Sequence, residues 1–566
     1  MTEQKKKENR MAGAAALICG VSFFIFSQDA EQKLPFGGLC LALAGIAAYA
    51  VFLFIRKHSW PERRFGVLSI VMGLFAVALI RCASRFKLYG AGNADKMVVE
   101  GFIILCAVFV WLNLCLWMEK GFSEELVMLI IFGAFLMRLF YAVMVQSHIY
   151  QNDIGELRPD ATGHLGYIYS FYSTGCMPKV NPVEYYQYYQ APLFHIVSAV
   201  FVKLFDVIGY GMDEIQELLQ IVSVMYGTLT LLFVNKVGIK LKVPVWSRAV
   251  VMGIVSFMPW GIIQGAALNN DGLMVLFGVM ALYYTLVWYE EPKYRTILLM
   301  AVCIGCSMMT KISGALAAPA MAVLMLHKAW TERKKWMFYL KQFLCFGAAA
   351  FPLGLWYPLR QFILYRMPPG YVPRIPETDM QFIGMYSKWQ RFFDFGGALE
   401  SLSLRWNNTE AVDYNIPVSL VKFAVFGEGD YYYINQVLTI TGTILFWMTL
   451  IIGVLGAVLY VLWLFIGRQT AVQKVFVSAI LAVSLFSYVK FNLAYPYVCT
   501  MHIRYIMLAV YFSFVVLGLF LGEAEERFLR EKRMAARVLR CAAAAVAGLY
   551  MTAAVTMIVQ LVQIIP

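Results

Sequence analysis

Carboxylate, imidazole and phenol side chains concentrate in one polar stretch, residues 146–193, which lies between two apolar runs. It contains Asp153, Glu156 and Asp160, and His164 follows Asp160 by four positions. A carboxylate can act as a general base that deprotonates a hydroxyl group as it attacks a substrate carbon. Asp160 is the leading candidate for this base, with Asp153 and Glu156 as alternatives.

Histidine and tyrosine residues could assist such a base. His164 shares a face with Asp160 if the stretch is helical, so it could orient the carboxylate or bind a divalent cation with it. The cation stays an option only, because the sequence has no Cys/His cluster with metal-ligand spacing. Side chains that could contact a sugar or another substrate follow the acids: Tyr185, Tyr186, Tyr188, Tyr189, Gln190 and His195. A solvated connecting loop is the default interpretation of any one of these acids, and their clustering with tyrosines favours a site.

Lys311, in M-M-T-K-I-S-G, ends a later apolar run. A charge at membrane depth is costly and calls for a partner. An ammonium group there could bind a lipid phosphate, or it could be a lysine that snorkels to the surface. Ser313 and Gly314 would allow a ligand to approach closely, which favours the phosphate.

Asn269, Asn270 and Asp271 lie where two apolar runs meet. Asn and Asp commonly cap the following helix. A substrate role for Asn270 and Asp271 is compatible with capping, since a helix N-terminus is also an anion-binding position.

Two arginines are further candidates for the phosphate. Arg504, in M-H-I-R-Y, could hold a phosphate with two hydrogen bonds, or could anchor the helix at the interface beside Tyr505. Arg138 lies within the apolar run 126–145 and could pair with an acid of the polar stretch or line a cavity.

The composition identifies an integral membrane protein. Of 566 residues, 61% are hydrophobic and only 14% are charged, whereas soluble proteins have about 25% charged residues. The net charge of +13 comes from Lys/Arg clusters beside apolar runs, which is typical of cytoplasmic helix flanks rather than of nucleic-acid binding. The eleven cysteines are scattered, and we interpret most of them as small buried hydrophobic residues.

Apolar segments of about 20 residues predict membrane-spanning helices. We therefore expect an all-α polytopic protein, a helical bundle of about 15 transmembrane helices with external loop caps. The segments are 13–29, 37–55, 66–82, 99–118, 126–145, 191–208, 216–235, 249–267, 273–289, 296–311, 314–327, 338–357, 437–465, 472–490, 502–522 and 537–563.

Four regions are predicted. Residues 1–125 form a transmembrane extension of about four helices, whose first run is an anchor with a cytoplasmic N-terminus and no cleavage site. Residues 126–357 form the catalytic module, with an external loop at 146–190. An external folded cap, 358–434, and C-terminal transmembrane helices, 435–566, follow.

Basic clusters place the polar stretch, the Asp271 loop, Lys311 and Arg504 on the extracytoplasmic side of a cell membrane. Two conflicts accompany this topology. The loop 82–98 should be external, yet it is basic. An odd number of crossings is required between the polar stretch and the basic loop 236–248, but two apolar segments lie there.

These features, in this order, resemble the GT-C membrane glycosyltransferases. The similar branch holds protein O-mannosyltransferases and the bacterial aminoarabinose transferase (glycosyltransferase family 39-like), and the resemblance covers about 126–520. The matching elements are R-P-D-A-T-G-H around Asp160, Ala191-Pro192-Leu193 in place of P-P-L, Asp271, Lys311 and Arg504-Tyr505.

The resemblance implies single-step transfer, with inversion, of a sugar from a polyprenyl-phosphate donor to a hydroxyl acceptor. It implies that Asp160 is the catalytic-loop acid and that Lys311, with Arg504, contacts the lipid phosphate. Two positions depart from the family pattern. Ala161 follows Asp160 where Asp-Glu is common, so the base could be Asp153, and Tyr189-Gln190 replaces His or Glu-Lys before the P-P-L element.

The expected partners are the polyprenyl-phosphate sugar, membrane lipid and a glycan, lipid or protein acceptor. A rival interpretation is a transporter or flippase, which many helices and intramembrane charges favour. The sequence shows no internal repeat of the kind transporters often have, and its two large external polar segments suit an enzyme better. A catalytically inactive binding or assembly protein is the third alternative.

Overall fold

A computed structural model describes residues 123–149, 151, 153–404, 413–429, 431–531 and 533–564. All regular secondary structure in these ranges is helical, and one isolated antiparallel bridge joins Phe382 to Tyr497. The predicted all-α class is therefore confirmed for the described part of the chain. The predicted N-terminal extension up to residue 122, including the loop 82–98, lies outside the described residues.

Sixteen α-helices follow one another in the described ranges. Their bounds are α1 Glu124–Met144, α2 Gly163–Thr174, α3 Leu193–Ile208, α4 Met212–Lys240, α5 Val245–Ser256, α6 Pro259–Gln264, α7 Asp271–Glu290, α8 Tyr294–Thr310, α9 Ala318–Thr331, α10 Trp336–Tyr365, α11 Lys388–Phe393, α12 Ile416–Phe426, α13 Gln436–Ile466, α14 Ala471–Ala494, α15 Met507–Glu531 and α16 Arg533–Ile564. Short 3-10 segments connect some of these helices, including Ile312–Ala317 between α8 and α9 and Ile503–Ile506 before α15.

Nine helical stretches in the described ranges are long and apolar enough to cross a membrane. They are Glu124–Met144, Met212–Lys240, Asp271–Glu290, Ile312–Thr331, Arg333–Tyr365, Gln436–Ile466, Ala471–Ala494, Val498–Arg527 and Met534–Ile564. The chain is thus a multi-pass membrane protein. The predicted total of about 15 is not confirmed, since four of the predicted segments precede residue 123.

The length of α3 bears on the conflict in the crossing count. Its 16 residues extend about 24 Å, which is less than the roughly 30 Å of a bilayer core. The helix α4 has 29 residues and is long enough. One crossing between the polar stretch and the loop 236–248 is an odd number, so the predicted topology is consistent with these lengths.

The chain divides into two compact units. The first comprises residues 1–105 and 200–215, of which the structure describes only 200–215, the end of α3 and the start of α4. The second comprises residues 106–199 and 216–566. All residues of the site described below belong to this second unit.

The predicted apolar segment 249–267 is two helices, α5 and α6, separated at Phe257 and Met258. Pro259 lies at the start of α6, where a missing N–H and a fixed φ are tolerated, although they would disrupt a helix interior. Arg138, on α1, donates hydrogen bonds of 2.9 Å to the carbonyls of Ala134 and Ser256. Since Ser256 ends α5, the arginine satisfies a carbonyl that the helix leaves open.

Small residues accommodate the Arg138 side chain inside the bundle. It lies against Gly227, Gly261 and Gly265, and a Cβ at Gly265 would come within 2.8 Å of the arginine Cδ. Arg138 as a whole residue is 1% exposed. This glycine-lined space explains how α1 carries an arginine within an otherwise apolar span.

Helical structure extends into the segment 358–434 that is predicted as an external cap. The helix α10 continues to Tyr365 and includes Pro352 and Pro358. The buried helix α12 then packs on α6 and α13. Lys422 of α12 forms an ion pair with Asp413, and both side chains are 1% exposed. The pair joins α12 to the segment immediately before it.

Candidate functional site

One cavity of about 250 Å³ brings together residues from distant parts of the chain. Eight predicted site residues line it: Asp153, His164, Tyr189, Gln190, Asn270, Asp271, Lys311 and Arg504. Residues of the cap, among them Val372, Gln381 and Glu428, line it as well. The predicted association of the polar stretch with Lys311 and Arg504 is present in this structure.

Backbone contacts position Asp153 against the N-terminus of α2. The main-chain N–H of His164 donates to the carbonyl of Asp153 at 3.2 Å, and that of Leu165 donates to Ile154 at 2.7 Å. Gly155 and Gly163 have φ angles of +67° and +82°. A Cβ at Gly155 would lie 1.8 Å from the carbonyl oxygen of Thr162, so only glycine permits this close approach.

Two histidines extend inward from Asp153. The Nε2 atom of His164 lies 3.7 Å from Oδ2 of Asp153, and its Nδ1 atom lies 3.0 Å from Nε2 of His195. His164 lines the cavity, whereas His195 is fully buried behind it. Burial and the neighbouring His164 hold the pKa of His195 well below its ordinary value, so His195 is neutral at physiological pH. His195 therefore supports His164 and does not reach the cavity.

Positive charges around Asp153 keep it ionised. Burial alone would raise the pKa of this carboxyl. Bonding to His164 and the charges of Arg504 and Lys311 outweigh burial and hold the pKa well below its usual range. Asp153 is thus a carboxylate that faces the cavity at any physiological pH.

Lys311 and Asp271 form an ion pair across two helix ends. Nζ of Lys311 lies 2.5 Å from Oδ1 of Asp271, the first residue of α7. Asn269 accepts a hydrogen bond from the main-chain N–H of Asp271 at 3.1 Å, whereas Asn270, the N-cap residue of α7, makes no side-chain capping hydrogen bond. Gly314 packs onto α8 so closely that a Cβ would lie 2.4 Å from Oγ of Ser307.

Asn270 connects three elements of the site. Its Nδ2 atom donates to Oε1 of Gln190 in the polar stretch and to the carbonyl of Thr310 at the end of α8, each at 3.2 Å. This side chain therefore holds Gln190 beside the helix ends that carry Asp271 and Lys311.

Arg504 lies among three carboxyl groups. Its Nη1 atom is 4.0 Å from Oδ2 of Asp153 and 4.0 Å from Oε1 of Glu428, and its Nε atom is 3.9 Å from Oδ2 of Asp271. Nη2 donates to the Tyr505 hydroxyl at 3.3 Å. Within the described residues, Nε has no hydrogen-bond partner. The guanidinium group thus has donors available for an anion.

Glu428 is a site residue that our sequence interpretation missed. Only Gly427, whose φ is +60°, separates it from the last residue of α12. Its side chain is 11% exposed, and burial raises its pKa to about 7 against the opposing effect of Arg504. The available signal was an acid between two glycines, immediately after the apolar run 416–426.

Three sequence candidates lie elsewhere. Asp160 is exposed, has a φ of +58° and does not line this cavity. Glu156 is exposed and pairs with Arg158. Arg138 is buried at the α5–α6 break. The structure therefore presents Asp153, rather than Asp160, to the converging cations.

Aromatic rings form much of the cavity wall. Tyr186 and Tyr189 come from the polar stretch, and the rings of Tyr189 and Tyr371 meet edge to face at 5.7 Å. Further rings come from the C-terminal part of the chain: Phe491, Tyr495, Tyr497 and Tyr505. Tyr188 instead stacks on Tyr167 at 4.5 Å, outside the lining. Aromatic surface combined with convergent polar groups is typical of a ligand-binding cavity.

The acids of the site do not fit a divalent cation. Among the described residues, no group of three or more His, Cys, Asp or Glu side chains is placed to hold a metal ion. Arg504 lies within 4.0 Å of Asp153, Asp271 and Glu428, so a positive charge already lies among the carboxylates that would ligate a metal.

A family model described as dolichyl-phosphate-mannose-protein mannosyltransferase matches residues 204–363. The match confirms, over these residues, the predicted resemblance to the protein mannosyltransferase branch of the GT-C glycosyltransferases. It includes Asp271 and Lys311 but neither the polar stretch nor Arg504. No curated protein sequence matches the chain.

Similar solved structures include the apo form of the Archaeoglobus fulgidus oligosaccharyltransferase. The two chains have 10% sequence identity and a TM-score of 0.43, and the match covers 78% of this chain and 57% of the oligosaccharyltransferase chain. This chain therefore spans less than two thirds of the length of the oligosaccharyltransferase. ArnT from Cupriavidus metallidurans in the apo state has 14% identity and a TM-score of 0.31, over 70% and 78%. The same ArnT bound to undecaprenyl phosphate has 12% identity and a TM-score of 0.29, over 72% and 79%.

Proposed function

We propose that this protein is a membrane glycosyltransferase that transfers a sugar from a polyprenyl-phosphate donor to a hydroxyl acceptor. One observation carries the proposal: Lys311 and Arg504 converge on the same aromatic-lined cavity as the ionised Asp153. The family match at 204–363 supports the reaction class and the lipid-phosphate donor.

Lys311 and Arg504 bind the phosphate of the donor. An ammonium and a guanidinium group from two different helix ends can contact separate phosphate oxygens, and arginine can do so in two-pronged fashion. Negative charge grows on the phosphate as the sugar leaves it. Cations fixed in position before the reaction stabilise that charge without reorganisation.

Asp153 is the base in this proposal. The acceptor oxygen forms a bond to the anomeric carbon, the bond from that carbon to the phosphate oxygen breaks, and the acceptor proton passes to the Asp153 carboxylate. Asp153 has the required protonation state, and backbone contacts to α2 hold it at the cavity. It takes the role that the sequence assigned first to Asp160.

The tyrosines and the cap select the substrates. Tyr186 and Tyr189 offer aromatic faces to the sugar, and Val372 and Gln381 of the cap line the same cavity, where they would contact the acceptor. Mannose is the first donor sugar to test because the matching family model is described as a mannosyltransferase. Other hexoses and pentoses should be tested after it.

The site faces the extracytoplasmic side. Asp271 begins α7, and Glu290 ends it with an ion pair of 2.5 Å to Lys240. Lys240 belongs to the basic cluster at 236–248, and such clusters favour the cytoplasmic side. The cavity therefore lies at the opposite end of α7 from the cluster that marks the cytoplasm.

The test uses the full chain, purified in nanodiscs, with mannosyl polyprenyl phosphate and a panel of other glycosyl polyprenyl phosphates. Release of free polyprenyl phosphate, followed by mass spectrometry, is the expected result. If no donor of the panel is consumed, the enzyme proposal fails. Donor movement between the leaflets of proteoliposomes without consumption would establish the flippase alternative instead.

A further inference from the structure

Two carboxyl groups flank a single nitrogen of Arg504. Asp153 approaches Nη1 from the polar stretch and Glu428 approaches it from the cap, each at 4.0 Å. Both side chains line the cavity. The proposed function assigns the role of base to Asp153 but assigns no role to Glu428.

A buried histidine lies beside Glu428. Nδ1 of His502 accepts a hydrogen bond from the main-chain N–H of Arg504 at 3.1 Å, so a neutral His502 carries its proton on Nε2. That Nε2 atom lies 3.9 Å from Oε1 of Glu428. It has no hydrogen-bond partner within the described residues.

Packing fixes the ring of His502 in this orientation. The imidazole is fully buried, and its centroid lies 4.2 Å from those of the Trp260 and Phe423 rings. One oxygen of Glu428 therefore faces a fixed N–H group. The other oxygen remains for a ligand in the cavity.

We propose that Glu428 is the general acid of the transfer and donates its proton to the oxygen of the departing lipid phosphate. This inference rests on the proposed glycosyltransferase function. As the bond from the anomeric carbon to the phosphate oxygen breaks, its electron pair stays on that oxygen, which takes the proton of Glu428. Asp153 takes the acceptor proton in the same step, so one proton leaves the acceptor and one reaches the phosphate.

The surroundings of Glu428 suit this role. The carboxylate that remains after donation faces the Arg504 guanidinium and the His502 N–H, while the Cys499 thiol and the ionised Asp153 are the other titratable neighbours. Burial and Asp153 raise the pKa of Glu428 to about 7, whereas that of Asp153 is far below its ordinary value. Carboxyl groups whose surroundings separate their pKa values in this way divide acid and base roles between them.

The kinetic test compares Glu428→Gln with wild type and with Glu377→Gln, a change at an exposed cap acid outside the cavity lining. We expect Glu428→Gln to lower kcat about 100-fold, in the range for lost general-acid catalysis. The alkaline decline of the wild-type pH–rate profile should disappear in Glu428→Gln and persist in Glu377→Gln. An unchanged kcat, or an unchanged profile, overturns the assignment.

A modified donor distinguishes a general acid from a merely structural residue. When sulfur replaces the oxygen between the sugar and phosphorus, the leaving sulfur needs no proton. Glu428→Gln should turn over this donor within about twofold of the wild-type rate. An equal loss on the oxygen and sulfur donors contradicts proton donation.

Infrared difference spectroscopy gives a readout that needs no turnover. The carbonyl band of a protonated carboxyl should be present in wild type at pH 6, change when undecaprenyl phosphate is added, and be missing in Glu428→Gln. Absence of the band in wild type overturns the acid role. Presence of the band without any donor consumption overturns the proposed function and leaves the protonated Glu428 established.

Discussion

Nζ of Lys311 lies 2.5 Å from Oδ1 of Asp271, and this ion pair joins the end of α8 to the first residue of α7. The same lysine faces the cavity. The pair therefore has two separable effects, one on the packing of these helix ends and one on the affinity for phosphate.

Lys311→Ala should weaken binding of undecaprenyl phosphate more than tenfold and lower the thermal midpoint. The reason for the second effect is that the buried Asp271 loses its closest ion-pair partner, which costs about 3 kcal/mol, while Arg504 remains 3.9 Å away. Adding Asp271→Asn should restore the midpoint without restoring phosphate affinity. Thermal unfolding and equilibrium binding in nanodiscs measure the two effects, with exposed Lys388→Ala as the control. Recovery of affinity in the double variant would remove Lys311 from the phosphate site.

Asp153→Asn should reduce kcat by about 10²- to 10⁴-fold, since it removes the proposed base but keeps the shape of the side chain. Asp160→Asn should retain at least half of the activity, because Asp160 is exposed and outside the cavity lining. Donor consumption by the two purified variants decides between them. If Asp160→Asn lost more activity than Asp153→Asn, Asp160 would be the base instead.

His195→Phe should lower kcat about tenfold at constant KM. The substitution removes the Nε2 atom of His195, which lies 3.0 Å from Nδ1 of His164 and fixes the tautomer of His164. His195→Gln, which can still hydrogen-bond to His164, should recover most of the loss. A parallel change of kcat and KM in both variants would show that the histidine acts only through packing. Steady-state kinetics with varied donor concentration provides the measurement.

Glu428 should also influence how stability varies with pH. Its pKa is about 7 in the folded protein and close to 4.5 when the chain is unfolded, so the folded state binds the proton more tightly. Its contribution to stability is therefore full below pH 4.5 and is lost as pH rises through 7. Relative to Glu428→Gln, wild type should lose about 3 kcal/mol over this interval. Thermal midpoints of both proteins between pH 4.5 and 7.5 test the sign, and parallel curves would contradict it.

Arg138→Met should lower the thermal midpoint and leave donor KM unchanged. The arginine satisfies the carbonyl of Ser256 at the break between α5 and α6, and an open buried carbonyl costs about 1–3 kcal/mol. The side chain does not line the cavity. A tenfold rise in KM with normal stability would instead place Arg138 at the donor.

The sequence indicated those residues of the candidate site whose charge interrupts an apolar run. A charged residue at membrane depth is costly and is usually functional, which made three residues recognisable: Lys311, Asp271 and Arg504. All three line one cavity, although 233 positions separate Asp271 from Arg504. The resemblance to the protein mannosyltransferases is confirmed only for 204–363.

The choice between acids could not be made from sequence. Asp153 and Asp160 are seven positions apart in the same polar stretch, and the difference between them is a matter of backbone direction. The loop turns at Gly155 and presents Asp153 to Arg504, whereas Asp160 lies on the outer side in a left-handed conformation. Glu428 was missed because the sequence predicts a folded cap but does not show that the buried helix α12 leads directly into the cavity.

A count of apolar residues likewise could not predict the break in the segment 249–267, because hydropathy does not show which main-chain carbonyls lack a hydrogen-bond partner. Pro259 was the local signal, and the partner that stabilises the break, Arg138, is 118 positions from Ser256. Local patterns indicate where a helix can stop, but they do not identify the distant side chain that compensates.

The close approach of Gly155 to Thr162 has a consequence for recognising relatives of this protein. A side chain at residue 155 would occupy the position of a carbonyl oxygen, and one at Gly163 would meet the backbone of Ile154 and Gly155. Any chain that shares this loop geometry must therefore keep two glycines eight positions apart, whatever acid it uses. That glycine spacing beside a buried histidine is therefore a criterion for recognising relatives that does not depend on the acid motif.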